Sequence, residues 1–457
     1  MQPPVTPPPF APPELASREL SARFLQAWQA LDCPPVWRRI LLAVSGGPDS
    51  LALLHLLHET RHAHRLELVV AHADHEIQDG SGAVAQRVVQ AAAVLGLPVV
   101  VGRLALGPGT SETRAREARH DWLELMRRTH EADAVAFAHH EDDQVETILL
   151  RVLAGSGPAG LAGMLPRQAA RVRPLLSFSR AELAAWLEAR GIASWDDPAN
   201  LDPAHERSWL RATVLPLLAE REPAVGARLL RLGRQAASDR RAWGAALDAL
   251  PGLNVQQGPG RISVAALPLA AYDSALAVAL LQALARRAGC VLGERRAGRV
   301  LDLLRRGQSG RAAELGAGWC AEVSFGRLCF YRPRAVPPAL ALTGERGHAR
   351  WGCWQVSWSR EPAPARMRRD GWVAWFIGEG AVLRGLEARD RLAPLGGSGR
   401  RAVGRLLQDV RVERSRRAGW LLVEVEGNLV WVAGVCRGGD AMPSEGEDAL
   451  RIEVSGG

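Results

Sequence analysis

Two short stretches carry residues whose types and spacing can do chemistry. The first is Ser45-Gly46-Gly47-Pro48-Asp49-Ser50, which follows an apolar run, Ile40 to Val44, and precedes another, Leu51 to Leu57. Glycine lacks a Cβ, so the pair lets the backbone turn sharply and come close to a ligand. A glycine turn that opens a helix aims N–H groups and the positive end of the helix dipole at one spot, which suits a phosphate. A Walker A loop would need a lysine to reach the terminal phosphates, and the sequence contains no lysine at all. The same absence excludes Schiff-base chemistry on a lysine. The dinucleotide pattern Gly-x-Gly-x-x-Gly is missing from this turn as well.

The second stretch is His139-His140-Glu141-Asp142-Asp143-Gln144-Val145-Glu146-Thr147. Asp143 and Glu146 are three apart in what reads as the first turn of a helix, so their carboxylates share a face. Val145, Ile148, Leu149 and Val152 are expected on the buried face. Two carboxylates beside a core suit a cationic substrate such as an ammonium. They also suit a Mg²⁺ ion accompanying a nucleotide, or they simply complement the helix dipole. His72-Ala73-Asp74-His75 is read as close to the nucleotide and not as a zinc site, because a tetrahedral ligand set is incomplete. Arg114, Arg116 and Arg119 share a helix of mixed charge, from which one can face an anion.

The elements that must position these residues alternate. Strands are expected at Ile40 to Val44, Leu66 to His72, Pro98 to Gly102 and Ala134 to Ala138. Helical periodicity fits Leu51 to Arg61, Ala83 to Leu95, Thr113 to Arg128 and Gln144 to Leu153. The alternation predicts an α/β fold with a doubly wound, mostly parallel sheet. Ligands bind such sheets at the carboxyl ends of the strands, where Ser45, His72 and His139 fall. A further helix is expected at Ser179 to Arg190, capped by Ser179 with Glu182 three residues on. The loop Trp195 to Asn200 and an arginine-bearing segment, Arg207 to Leu218, close the domain. Downstream, residues 219–335 are expected to be a helical domain ending in strands from Ala312 to Tyr331. Residues 336–370 read as a proline-rich linker with a strand at Trp351 to Trp358. Residues 371–457 read as a small α+β domain with β patterning in Trp420 to Val425 and Leu429 to Val435. The proline-rich residues 1–20 are expected to be a disordered tail, which leaves 21–218 as the first domain.

The chain has 57 basic residues, all arginine, against 49 acidic ones, a net charge of +8. Arginine's planar fork grips phosphates, so the excess points to a polyanionic partner such as nucleic acid, carried on the helical and terminal domains. Six cysteines without a C-x-x-C pair indicate neither a disulfide framework nor a zinc site, so a reducing, cytoplasmic setting is expected. Neither a signal peptide nor a membrane span is evident, so no membrane partner is expected.

Ser45-Gly46-Gly47-x-Asp49-Ser50 resembles the SGGxDS signature of the PP-loop ATP pyrophosphatases, the adenine nucleotide α-hydrolase-like enzymes that cleave ATP between its α and β phosphates. Further motifs follow in order: Glu112-x-x-Ala115-Arg116-x-x-Arg119, the His139 to Thr147 block, Leu150-Arg151, and Gly155-Ser156-Gly157-x-x-Gly160-Leu161-Ala162-Gly163-Met164. Then come Arg173-Pro174-Leu175-Leu176, Asp197-Pro198-x-Asn200 and Arg207-x-x-x-Arg211. Arg389-Asp390-Arg391-x-x-Pro394-x-Gly396 and Val430-Trp431-Val432-Ala433-Gly434 lie near the C-terminus. Together they resemble the tRNA(Ile)-lysidine synthetases, with another PP-loop ATP-dependent tRNA-modifying or ligase enzyme, or a non-catalytic tRNA-binding paralogue, as the alternative.

The resemblance implies ATP-dependent adenylation of the wobble cytidine in an isoleucine tRNA with a CAU anticodon, followed by attack of free L-lysine to give lysidine, AMP and pyrophosphate. It implies that Ser45, Gly46, Gly47, Pro48, Asp49, Ser50, His72 and Arg116 hold ATP with Mg²⁺, without a dedicated metal-ligand set. It gives catalytic roles to Asp49, Asp143 and Arg207, and the lysine ammonium to Asp143 and Glu146. Arg211, Arg400, Arg401 and Arg405 become tRNA contacts, and Gly155 to Gly163 shapes the mouth for a splayed-out base. The oligomeric state stays open, a homodimer included. The sequence departs from the family in places. Asp74 and Gln78 stand where the family has asparagine and arginine, His120 where it has tyrosine, and Ser208 and Ala212 where it has asparagine and histidine.

Overall fold

The computed structural model describes residues 13–457 apart from 75–80, 105, 108–109, 195–205, 259, 308, 334, 368–370, 398 and 457. Two compact units, Met1–Arg240 and Arg241–Gly457, make up the chain. In the first, helix α1 (Pro13–Gln29) already begins within the expected tail, and its Leu20, Phe24 and Trp28 are buried. Apolar residues at this helical spacing give α1 a face to bury, so the tail ends earlier than its prolines suggested.

A sheet follows, built from β1 (Arg39–Ala43), β2 (Glu67–Asp74), β3 (Val99–Arg103) and β4 (Ala134–Ala136). The helices between them are α2 (Pro48–His64), α3 (Ser81–Val94), α4 (Glu112–Thr129) and α5 (Glu141–Leu153). Two short strands, β5 (Arg167–Gln168) and β6 (Arg171–Val172), complete the order β3-β2-β1-β4-β6-β5, parallel except for the β5/β6 pair. β1 reads as a continuous apolar run because both its faces are covered. Ile40, Leu42 and Val44 face a core completed by the leucines of α2, Val88 and Phe178, while Leu41 packs with Val69, Leu123, Val135 and Phe137 on the other side. The chain winds outward from β1 to β3 and then returns to place β4 on β1's other flank. The loops after β1 and β4 therefore meet at the switch point, where such sheets bind ligands.

Helix α6 (Arg180–Glu188) starts at the expected box: Ser179 Oγ accepts from the Glu182 N–H, and Glu182 accepts from the Ser179 N–H. The loop Trp195 to Asn200 lies outside the described residues. The arginine-bearing segment is α7 (Glu206–Trp209), a π-helical turn (Leu210–Val214) and α8 (Leu215–Arg221). Helix α9 (Val225–Ala249) runs across the boundary between the units.

In the second unit, β7 (Gln256–Gly258), β8 (Arg261–Ala265), α10 (Ala266–Ala271), α11 (Ser274–Ala288), α12 (Glu294–Arg305), β9 (Arg311–Gly316), β10 (Trp319–Ser324) and β11 (Arg327–Tyr331) come first. The strands expected between Ala312 and Tyr331 form as β9, β10 and β11, and β7 and β8, from the stretch expected to be helical, join them in a five-stranded antiparallel sheet, β7-β8-β11-β10-β9. Its strand β8 is too short to show a period against the helical pattern around it. The terminal domain contains β12 (Leu340–Ala341), β13 (Arg346–Trp351), β14 (Trp354–Pro362), β15 (Val373–Phe376), β16 (Val382–Arg384), β17 (Arg391–Leu392), β18 (Arg401–Ala402), α13 (Val403–Asp409), α14 (Arg414–Arg417), β19 (Leu422–Val425), β20 (Asn428–Val432), β21 (Cys436–Arg437) and β22 (Asp448–Gly456). Within residues 336–370, read as a linker with a strand at Trp351 to Trp358, residues 346–362 supply two strands of the sheet β13-β14-β22-β15. β14 pairs with β22 from Trp354↔Gly456 to Pro362↔Asp448, and Trp351, Trp354 and Val356 are buried with Phe376 and Ile452. The flanking prolines suggested a linker, but the buried tryptophans decide the matter.

Candidate active site

After β1 the backbone turns through Ser45 to Gly47 into α2, with Gly47 as the N-cap and Pro48 in the first turn, where its missing N–H costs nothing. Gly46 has φ +92°, and a Cβ there would stand 2.7 Å from Val84 Cγ1, so glycine is required twice over. Ser50 Oγ fills the inside of the turn. It accepts from the N–H groups of Ser45 (3.2 Å) and Gly46 (3.1 Å) and donates to the Gly47 carbonyl (2.8 Å). Two N–H groups expected to face an anion, those of exposed Ser45 and buried Gly46, are therefore satisfied internally by the Ser50 hydroxyl. His72 Nδ1 lies 2.8 Å from the Val44 carbonyl, which can only accept, so Nδ1 carries the proton.

The strand β4 delivers His139 and His140 beside this turn. His140 is 2% exposed, with Nε2 3.4 Å from Asp49 Oδ2 and 3.5 Å from Asp143 Oδ2, and Nδ1 3.4 Å from Asp142 Oδ2. Burial opposes charging the ring. The carboxylates of Asp142, Asp49 and Asp143 overcome it and push the pKa up to about 10. His140 is therefore an imidazolium at neutral pH. The contact with His140, helped by the Arg180 N–H at 2.8 Å, holds the Asp142 carboxyl down at about 2. The His140 N–H also donates to Asp143 Oδ2 at 3.1 Å, fixing that carboxylate at the head of α5.

One turn further, Glu146 is 1% exposed on the face it shares with Asp143. Val145, Ile148 and Leu149 are buried as expected, but Val152, in the last turn, is 42% exposed. Arg211 reaches the acidic pair from the π-helical turn. Its Nε donates to Glu146 Oε1 at 2.7 Å, and its Nη2 lies 3.6 Å from Asp143 Oδ1. Glu146 Oε2 and Asp49 Oδ1 are both buried without a hydrogen-bond partner.

The other half of the site is basic. Phe137 lies between His120 and His139, with ring centroids 5.4 and 5.8 Å away, and the Arg173 guanidinium sits 6.0 Å from the Phe137 ring. Burial and the fields of Arg173, Arg116, Arg207 and Arg119 hold His139 well below its ordinary pKa. Burial, Arg171 and the neighbouring Arg119, Arg116 and Arg173 lower His120 to about 4. Arg173, whose own pKa burial lowers to about 10, remains charged and donates to the Leu165 carbonyl at 2.9 Å. Two neutral imidazoles thus stand within a ring of guanidinium groups, a field suited to polyphosphate or RNA.

The glycine-rich loop is fastened to α5. Arg151 Nη1 donates to the carbonyls of Gly160 (2.5 Å) and Gly163 (2.8 Å), and the Gln144 amide exchanges hydrogen bonds with the backbone of Met164. Gly163 has φ +64°, and a Cβ there would lie 2.6 Å from Gln144 Oε1.

The structure brings together Ser45 to Ser50, His72, Asp143 and Glu146, and sets Arg116 and Arg207 around His139. Arg211, expected to meet RNA phosphate, instead has its guanidinium on the acidic pair. Arg400, Arg401 and Arg405 lie on the exposed surface of the other unit, where Arg401 pairs with Asp409 at 2.6 Å. His75, Gln78 and Asp197 to Asn200 lie outside the described residues. His140 and Arg173 carry more of the site's electrostatics than sequence reading assigned them. The signal for His140 was the two aspartates that follow it at positions 142 and 143, and for Arg173 its place in the Arg-Pro-Leu-Leu motif.

Among the described residues no helix is long and apolar enough to cross a membrane, and no cluster of three or more His, Cys, Asp or Glu is arranged to hold a metal ion. Residues 18–218 match the PP-loop domain family, and residues 382–454 match the TilS substrate C-terminal domain. The chain is 32% identical to the tRNA(Ile)-lysidine synthase of Symbiobacterium thermophilum over 91% of this chain and 94% of that one. It is 31% identical to the tRNA(Ile)-lysidine synthase of Geobacter sulfurreducens over 91% and 92% of the two chains. With the tRNA(Ile)-lysidine synthase of Thermus thermophilus it shares 42% identity over 44% of this chain and 39% of that one.

Proposed function

The chain belongs to the tRNA(Ile)-lysidine synthase family, ligases that act on tRNA, and on that premise we propose that it joins free L-lysine to C2 of the wobble cytidine in a CAU-anticodon isoleucine tRNA at the expense of ATP. The observation that carries this reading is the division of the site. Asp143 and Glu146 form an acidic socket, tied to Asp49 of the glycine turn through His140, while Arg116, Arg173 and Arg207 surround the neighbouring His139.

Each part has a task. The turn from Ser45 to Ser50 and the start of α2 hold the pyrophosphate portion of ATP, with Ser50 Oγ yielding its N–H donors to phosphate oxygens. Asp49 Oδ1, buried and unpartnered, suits a divalent cation that arrives with the phosphates. Mg²⁺ would supply neutralisation of the charge that builds on the leaving pyrophosphate. Arg116 and Arg207 steady the α-phosphate while the cytidine O2 attacks it and pyrophosphate departs. Asp143 and Glu146 hold the lysine ammonium. A carboxylate beside it takes the proton that the ε-nitrogen must lose before its lone pair attacks C2 and AMP leaves with O2. His139, kept unprotonated by burial and its arginine neighbours, is a second acceptor on the basic side.

RNA is drawn to the arginines of the terminal domain, among them Arg400, Arg401 and Arg405. A reducing, cytoplasmic setting suits six cysteines that form no disulfide. The deciding test incubates the protein with ATP, Mg²⁺, radiolabelled lysine and CAU-anticodon tRNA. Label in the RNA that depends on both ATP and the wobble cytidine supports the reading, and its absence overturns it.

A further inference from the structure

The acidic socket is already filled by a cation from the chain itself. Glu146 is 1% exposed, and its ion-pair partner among the described residues is Arg211, whose Nε lies 2.7 Å from Oε1. A carboxylate this deeply buried cannot stand without a counter-cation except at a large desolvation penalty. The Arg211 side chain, by contrast, is 36% exposed, so it lies between the socket and solvent with room to withdraw.

We propose that Arg211 is a placeholder for the substrate's cation: its guanidinium occupies the Asp143/Glu146 socket at rest and leaves when the lysine ammonium enters. This rests on the assignment of the socket to lysine made above. Outgoing and incoming groups carry the same charge, so Glu146 keeps a partner before and after the exchange. The Glu146 Oε2 atom, buried and unpartnered, gives the ammonium a first foothold before Arg211 departs. The backbone that carries Arg211 is suited to the movement. Leu210–Val214 is a π-helical turn inserted between two α-helical segments, with Leu210 fully buried as its anchor. Such a turn holds one residue more than an α-turn, and relaxing it to α-helix redirects the side chains it carries.

The test measures lysine binding to the full-length protein by calorimetry and its melting temperature with and without lysine, for wild type, Arg211→Gln and Arg211→Lys. Removing the competing cation is expected to tighten lysine binding at least tenfold in Arg211→Gln. Arg211→Lys, whose ammonium still competes, stays near wild type. Arg211→Gln is also expected to melt lower than wild type without lysine and to gain more from added lysine. Lysine affinity in Arg211→Gln equal to or weaker than wild type overturns the proposal. Should that variant not fold, a structure of the wild-type lysine complex decides. Arg211 Nε beyond about 3.5 Å from Glu146 Oε1 supports the exchange, and a retained hydrogen bond overturns it. Labelling of tRNA by the wild type with unchanged affinity in the variant removes the placeholder alone. No lysine binding by any of the three proteins, together with no labelling, removes the lysine assignment itself.

Discussion

His140 Nε2 lies 3.4 Å from Asp49 Oδ2, so the helix that follows β4 and the glycine turn that follows β1 are joined by a charged contact across the switch point. The contact makes the site's shape depend on the protonation of one ring. Raised from its ordinary value to about 10 in the fold, the His140 pKa sets the sign of a pH dependence. In the unfolded chain the ring loses its proton near pH 6.5, whereas in the fold it keeps it to about 10. The stabilisation is therefore complete below pH 6.5 and lost as pH rises to 10, by at most about 1.4 kcal/mol per pH unit. Urea melts of wild type and His140→Gln at pH 7, 8 and 9 should converge as pH rises. Parallel curves would rule out the ion pair.

The two halves of the site should fail separately. Arg116→Ala is expected to raise the ATP requirement about tenfold, equivalent to about 1.4 kcal/mol, with the lysine requirement little changed. Glu146→Gln should do the reverse. Initial rates measured over a grid of ATP and lysine concentrations distinguish them, and a variant that shifts both requirements equally would contradict the division.

Gly46→Ala meets two obstacles, the left-handed φ of +92° and the Val84 methyl 2.7 Å from the new Cβ. The conformational part alone costs about 1–2 kcal/mol. Loss of ATP binding by equilibrium dialysis, with a lowered melting temperature, is expected. Adding Val84→Ala should restore part of the stability and leave the remainder, because the backbone strain persists.

On the terminal domain, Arg400→Ala and Arg405→Ala should weaken tRNA binding without touching ATP binding. If each arginine neutralises one phosphate, each substitution flattens the slope of log K against log salt by about 0.9. Filter binding between low and moderate salt checks this. An unchanged slope would assign the arginine to solvent.

The first unit was largely legible in the sequence because its signals agree with one another. β1 is apolar on both faces, the glycine turn follows at once, and the Ser179/Glu182 box marks a helix start that the structure reproduces. The second unit was harder. The short strand β8 sits among helices with stronger periodicity, and the prolines near Pro362 suggested a connector where Trp351, Trp354 and Val356 enter a core. In the site, the acidic face of α5 could be read from spacing. Arg211 could not be placed on it, because 65 residues separate it from Glu146 and its direction depends on a π-helical turn that no sequence period announces.

The pairing of β14 with β22 has a consequence for the protein's synthesis. As the chain emerges, the β13/β14 hairpin is complete long before its second neighbour, so β14 presents an open row of backbone donors and acceptors until residues 448–456 leave the ribosome. An unsatisfied edge bearing Trp354 and Val356 is an adhesive surface on a nascent chain. Chaperone demand and losses to aggregation should therefore concentrate in this interval of translation, and charged substitutions on the outward face of β14 should relieve them without altering the finished fold.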